Sequence, residues 1–462
     1  MRDPIRDRWS DLRPEIEAAL AELWSNPELP MMEYRSAAYL ANWLESHGFD
    51  VERGTAGLPT AFTARYGSTG SPAVGLLAEY DAMPGQGNKA VPQHAPTGQV
   101  AGHACGHNQI GAANVGAAIA ARYAVEELGL PGQVVVIGCP GEEIVYGKVV
   151  LQAKGAFDNL DAVLTSHADE RNGAVSQPCL AAVHGEFLFS GVSSHTGAPR
   201  KQNALEAAEL AVQSIERLRG HHFPDASVEH ILRTAGVMPN ITPAECRLWV
   251  YCRHSDYERA WDAYRLVRDA AQMAARLSGT GLREQFISAC RGYLPNDALA
   301  EVLLNNLELV GSPRWDQNDL EWMRGLAQSS EQGERGESFD LDRAISLYTG
   351  EVDPYGQDDG EISWRVPLGR VNWAVPLQVP FHSWATTAIS GSRAGNAGAL
   401  MASEALALTT VDLLSEPTRL ERSRAELQAR VGAAELTAPR YGAFETLSTR
   451  PEAFWDATWV ED

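Results

Sequence analysis

The stretch AVGLLAEYDAMPG, Ala73 to Gly85, is apolar through Ala78, turns acidic at Glu79 and Asp81, and then closes in a Pro-Gly turn. A short unbroken apolar run ended by a turn signal reads as a strand buried on both faces, which belongs in a helix-covered sheet. Its acidic residues then stand at the C-terminal edge of that sheet. Two more stretches repeat the arrangement: GQVVVIGCPGEE, Gly132–Glu143, ends in paired acids, and DAVLTSHAD, Asp161–Asp169, is expected to end at His167. Between the first two lies VGAAIAARYAVEEL, Val115–Leu128, with the apolar spacing of a helix. Ahead of them come a strand, AFTARYG (Ala61–Gly67), and two helices, Arg13–Trp24 and Ser36–His47, the second stopped by Gly48. Strands that each deliver polar residues just past their ends are how an open α/β sheet builds a site at its carboxyl edge.

From about Glu186 the texture changes. EFLFSGVSS reads as a strand, NALEAAELAVQSIERLR as a helix, VEHILRTAGVMP and ECRLWVYCRHS as strands, DYERAWDAYRLVRDAAQMAARLS as a long helix and LREQFISACRG as a last strand. This βαββαβ order is a split-βαβ unit. The fold class expected is α/β, an open mixed sheet flanked by helices with an inserted α+β lid domain. Its boundaries are expected at 1–185 for the first part of the catalytic domain, 186–295 for the lid and 296–462 for the second part. The acidic segment Asp316–Asp359 reads as a surface excursion, and the tail from Leu414 starts helical and then loosens.

With 462 residues and 44% hydrophobic content, the chain is longer than a single core usually grows. A formal charge of −22 argues against nucleic acid or an anionic membrane as partner, since either would need a basic patch, and favours a small-molecule substrate. The N-terminal residues carry no apolar leader and no later stretch reads as a membrane span, so a cytoplasmic protein is expected. The six cysteines lack a disulfide-framework spacing, which suits a reducing compartment; most read as small buried hydrophobes, Cys105 excepted.

Cys105 lies in GQVAGHACGHNQIGAANVGAA, Gly98–Ala118, one residue from His107 and just before a helix. A helix start would lower the thiol pKa, and thiolate and imidazole are ligands that Zn²⁺ and similar ions accept. Glu142 and Glu143 offer a division of labour, since neighbours at a strand end point to opposite sides: one can ligate while the other serves as general base. His167 and His382, the latter in VPFHSW, taken singly read as ordinary hydrogen-bonded histidines. Their shared position past strand ends is what groups them.

In this order, GLLAEYDAMPG, GHACGHNQIGAAN, GCPGEEIVYGKVVLQAKGAFDNLDAVLTSH, SSHTGAP, GVMPNITP and FHSW resemble the metal-dependent amidohydrolases and aminoacylases. That family includes aminobenzoyl-glutamate hydrolase and the auxin-conjugate hydrolases; the likeness is greatest to the aminobenzoyl-glutamate hydrolase B-subunit-like branch and runs from about Trp24 to Leu408. It implies a zinc-exopeptidase-like catalytic domain holding one or two divalent ions, Zn or Mn, on Cys105, His107, Glu143, His167 and His382. It also implies Glu142 as general base, Asp81 as the residue that orients the ligands, and His195, Asn240 and Arg253 as substrate-binding residues. A homodimer or higher homo-oligomer through the lid belongs to the same implication.

The activity so implied is hydrolysis of a C–N bond, the amide of an N-acyl or N-aroyl amino acid. Removal of an amino group from an aromatic ring, dipeptide cleavage, and a non-catalytic binding protein on a hydrolase fold stand as alternatives. Three places depart from the family pattern: Gly141 replaces an alanine, Ser194-His195-Thr196 replaces Ala-His-Ala, and RKQNALEAA after Pro199 lacks Gly-Arg-Ser. Trp364, Trp373 and Trp384, close to His382 in sequence, suit either an aromatic substrate or core packing.

Overall fold

The first helix, α1 (Arg2–Ser25), buries Ile5, Trp9, Leu12, Ile16, Leu20 and Leu23 at helical spacing. It starts well before the expected Arg13 because the apolar stripe continues back through Trp9 and Ile5. Pro14 is tolerated inside it on the exposed side, where the carbonyl it leaves unbonded can meet water. The computed structural model describes residues 2–70, 72–199, 202–336, 338–432, 436–442 and 455. Arg200 and Lys201, part of one departure noted above, lie outside that set.

After α2 (Tyr34–Ser46) come β1 (Asp50–Arg53), β2 (Phe62–Gly67), β3 (Ala73–Glu79), α3 (His107–Leu128), β4 (Gln133–Cys139), α4 (Gly147–Ala153), β5 (Ala162–Asp169) and β6 (Asn172–Ser176). The chain continues through β7 (Ala181–Ser190), α5 (Ala204–His222), β8 (Ser227–Thr234), β9 (Glu245–His254), α6 (Tyr257–Ser278) and β10 (Gly281–Cys290). It then forms α7 (Asp297–Val310), α8 (Gln317–Ser329), β11 (Ile345–Thr349), β12 (Leu368–Ala374), α9 (Trp384–Ser390), α10 (Arg393–Ser415), α11 (Pro417–Val431) and β13 (Arg440–Tyr441).

Contacts divide these elements into two units: Met1–Gln177, Leu294–Glu351 and Ile362–Leu436 form the first, and Pro178–Tyr293, Val352–Glu361 and Thr437–Asp462 the second. The second opens ahead of residue 186 because β7 begins at Ala181, five residues earlier than the sequence pattern suggested.

The first unit is built on an eight-stranded mixed sheet in the order β1-β2-β4-β3-β5-β12-β6-β11. Strands β3, β4, β5 and β12 run parallel to their neighbours among these four, so their carboxyl ends share one edge. Every residue of β3 and β12 is buried, as a sheet covered on both faces requires. On one face α3 closes on β3 so tightly that a Cβ on Gly111 would stand 2.5 Å from the Glu79 carbonyl oxygen. Helix α10 has the length and composition of a membrane span, but 94% of its apolar window is buried in this core. Trp373 lies in the core, fully buried, which settles its role as packing.

The segment Asp316–Asp359 is not a surface excursion. Helix α8 starts there with a reciprocal capping box between Asp316 and Asp319 and buries Met323 and Leu326, while β11 pairs parallel with β6 at the sheet edge. Its charges cap and flank structure rather than replace it.

The second unit has the expected βαββαβ order. Its five strands lie in the order β8-β9-β7-β10-β13, and small residues of α5 and α6 pack with Val183, Phe187, Leu248 and Val250. Strand β8 ends at Thr234 rather than at Pro239, since Gly236 adopts φ +98° and two prolines follow.

Candidate metal centre

Three parallel strand ends and two loops converge in the first unit. Strand β3 leads to Asp81, β4 to the turn holding Glu142 and Glu143, β5 to His167; the loop before α3 brings Cys105, and the loop after β12 brings His382. His382 adopts φ +60°, sparsely populated for a residue with a side chain, while its N–H donates to the Ala104 carbonyl at 2.9 Å. Such strain persists only where surrounding structure holds it, and here it sets an exposed imidazole beside Glu143, with Nε2 3.6 Å from Oε2.

Asp81 organises the cluster. One oxygen accepts from His107 Nδ1 at 2.8 Å and the other from the Glu143 backbone N–H at 2.9 Å, so a single buried carboxylate orients an imidazole and the acidic turn together. With Nδ1 committed, His107 Nε2 faces the cluster, 3.6 Å from Glu142 Oε2 and 3.8 Å from Glu143 Oε1. His167 Nδ1 donates to the Ala168 carbonyl, which leaves Nε2 3.5 Å from Cys105 Sγ. Glu142 and Glu143 do not alternate on a strand as expected. They lie in a turn after β4, closed by the Val145 N–H on the Glu142 carbonyl, and both side chains enter the same cluster.

Burial lowers the His167 pKa to about 3, so its imidazole is neutral, the form that ligates. At His107 burial works in the same direction, but Asp81, Cys105 and Glu143 outweigh it and raise the pKa. The Cys105 thiol is not lowered by the helix start. Burial and the charge of Glu143 raise it, because a thiolate here would have no nearby cation.

Three buried atoms, Glu79 Oε2, His107 Nε2 and Glu143 Oε1, have no hydrogen-bond partner. Buried polar atoms are normally satisfied, so three orphans around one point mark the place of a missing electrophile. The donor atoms of Cys105, His107 and His167 lie within 4.8 Å of one another, as do those of Cys105, Glu143 and His382. Thiolate, imidazole and carboxylate together fit a divalent ion of the zinc type.

His195 and Asn240 come together in the second unit. Residues His195 and Ile241 form a bridge, and the Thr196 N–H donates to the Asn240 carbonyl at 3.2 Å. His195 Nδ1 accepts from the Gly197 N–H at 2.9 Å, so an exposed Nε2–H is left as donor. Arg253 is not grouped with them. It lies near the other end of β9, about 27 Å along the strand from Glu245, with Nη1 3.7 Å from Glu229 on β8.

Sequence reasoning passed over Glu33. Fully buried, it accepts from the backbone N–H groups of Met31 at 2.7 Å and Gly141 at 2.8 Å, and from Thr60 Oγ1 at 2.8 Å. It thereby anchors the residue next to Glu142. Gly141 itself has φ +65°, and a Cβ there would meet Met31 Sδ at 2.8 Å, which accounts for glycine where the family pattern has alanine. Burial, with the charge of Asp81, pushes the Glu33 pKa up to about 8. Between the ordinary carboxyl range and that value the folded chain keeps a proton that the unfolded chain releases, so stability falls as pH rises through this window. Glu33→Gln is expected to flatten that fall in midpoints of thermal unfolding measured from pH 5 to 8. Glu33→Ala, which strands two backbone donors, is expected to cost about 3 kcal/mol.

Residues 75–346 match the profile of peptidase family M20/M25/M40. This chain belongs to that family. It is 31% identical over 453 residues to a p-aminobenzoyl-glutamate hydrolase polypeptide of Escherichia coli (strain K12), with 92% of each chain covered. It is also 28% identical over 441 residues to the Xaa-Arg dipeptidase of Mus musculus, covering 92% of this chain and 91% of that one. Among solved structures, an aminobenzoyl-glutamate utilization protein from Klebsiella pneumoniae superposes with a TM-score of 0.60 at 14% identity, covering 87% of this chain and 98% of the other. A dinuclear metal binding peptidase of the M20 family from Bacillus subtilis gives 0.55 at 16%, covering 88% and 99%. These M20/M25/M40 relatives share the fold, and the chain is a hydrolase.

Proposed function

We propose that this M20/M25/M40 hydrolase uses a divalent metal to cleave the amide bond of an N-acyl or N-aroyl amino acid, a substrate of the aminobenzoyl-glutamate kind. The observation that carries the reading is the position of Glu142, a buried carboxylate 3.6 Å from a ligand-type imidazole nitrogen that nothing else occupies. Similarity to the Escherichia coli p-aminobenzoyl-glutamate hydrolase over nearly the whole chain supports the substrate class.

Cys105, His107, His167, Glu143 and His382 would hold the ion or ions, with Cys105 shared between two donor groups. When bound, a divalent ion lowers the pKa of water to about 7 and polarises a carbonyl. Glu142 takes the proton of the attacking water on its carboxylate and passes it to the departing nitrogen. Asp81 keeps His107 in the tautomer that presents Nε2 and holds the turn bearing Glu142 in register. We assign substrate contact in the second unit to His195, through its Nε2–H, and to Asn240. Six free, buried cysteines support a cytoplasmic setting, and a homodimer through the second unit completes the proposal.

The test is identification by mass spectrometry of products from a panel of N-aroyl and N-acyl amino acids, aminobenzoates and Xaa-Arg dipeptides, with Zn²⁺ or Mn²⁺ and again with a chelator. Acid plus amine from the acylated amino acids, abolished by the chelator, is the expected result. Phenol plus ammonia from aminobenzoates, or turnover of the dipeptides alone, would replace it with ring deamination or exopeptidase activity.

A further inference from the structure

Glu79, the last residue of β3, is 3% exposed and belongs to none of the roles assigned above. Its Oε1 is paired at 2.8 Å with the Nζ of Lys148, a fully buried lysine on α4. Its Oε2 accepts no hydrogen bond and lies 3.5 Å from His107 Nε2, which is likewise unpartnered. A buried ion pair is costly to desolvate, and it holds when the remaining lone pairs find partners. Here one oxygen has its partner and the other is turned toward the metal centre.

The spacing is that of neighbouring donors on one ion. Zinc-to-nitrogen and zinc-to-oxygen bonds of about 2.1 Å at a tetrahedral angle separate two donors by about 3.4 Å. Cys105 and His167 are spaced alike at 3.5 Å, and donor atoms of Glu79, His107 and Glu142 all lie within 4.8 Å of one another.

We infer that Glu79 is a carboxylate ligand of the metal centre and that Lys148 is the residue that positions it. Lys148 neutralises one oxygen and leaves the other as a donor beside His107. The inference rests on the metal-site reading above and adds a donor and a positioning residue to it.

The test is Zn²⁺ affinity of the full chain, by competition with a chromophoric chelator, together with the visible spectrum of the Co²⁺-loaded protein. Glu79→Gln and the double variant Glu79→Gln/Lys148→Met are compared with wild type. The double variant removes both charges, so it separates loss of the ligand from the instability of a stranded buried lysine. A rise of about 10–100-fold in the Zn²⁺ Kd with an altered Co²⁺ spectrum is expected in both variants, with partial recovery in Glu79→Asp. Should the double variant fail to fold, Glu79→Asp, which keeps the lysine paired, carries the same readout. Wild-type affinity and an unchanged spectrum in a folded variant would overturn the inference and reduce Glu79 to a structural partner of Lys148. A folded wild-type protein that binds no Zn²⁺ would overturn the proposed function with it, so the two failures are distinguishable.

Discussion

Glu142→Gln is expected to retain the metal content of the wild type while kcat falls by about 10³–10⁴-fold, toward the upper end of what a positioned general base contributes. The change preserves shape and removes only the ability to take a proton. Glu142 contacts His107 Nε2 at 3.6 Å from a turn anchored by Asp81 and Glu33, and neither anchor depends on its charge. Metal analysis and steady-state kinetics on the same preparation check it. A fully active variant would remove Glu142 from the mechanism, and a metal-free one would make it a ligand.

Cys105→Ala is expected to lose the metal along with activity. Its sulfur belongs to both the group with His107 and His167 and the group with Glu143 and His382, so its removal weakens both. Loss of a supporting group alone typically costs 10–100-fold in affinity, and loss of a ligand about 100-fold or more. The cavity left by one buried sulfur costs only about 1 kcal/mol. A ligand bound at about 100 times its Kd stabilises a fold by about 2.7 kcal/mol, so thermal scans supply a second check. Added Zn²⁺ should raise the unfolding midpoint of the wild type and leave that of the variant unmoved.

Both expectations use residues that stand out in the sequence, and the reason is chemical. An apolar run that ends in Glu79, Tyr80 and Asp81 can be buried only as a covered strand, and Cys-Gly-His ahead of a small-residue helix has few uses besides a ligand pair. Glu33 had no such signal. It lies between two helices, in a segment without periodicity, and its importance comes from donors at Met31, Thr60 and Gly141. Lys148 reads as an ordinary helix residue until its burial is known. In Asp316–Asp359 high charge hid the edge strand β11, because an edge strand needs less apolar surface than a central one.

The sequence by itself determined the class of fold, the split-βαβ order of the second unit and the types of donor available, since these follow from hydrophobic period and side-chain chemistry, which are local. Tertiary structure decided which donors meet and in what state. His107 and His382 are brought to one edge only by closure of a parallel sheet, and the φ of +60° at His382 is held by surrounding structure. The raised thiol of Cys105, the neutral imidazole of His167 and the pairing of Glu79 with Lys148 come from burial, and desolvation belongs to the assembled environment of a group rather than to the group.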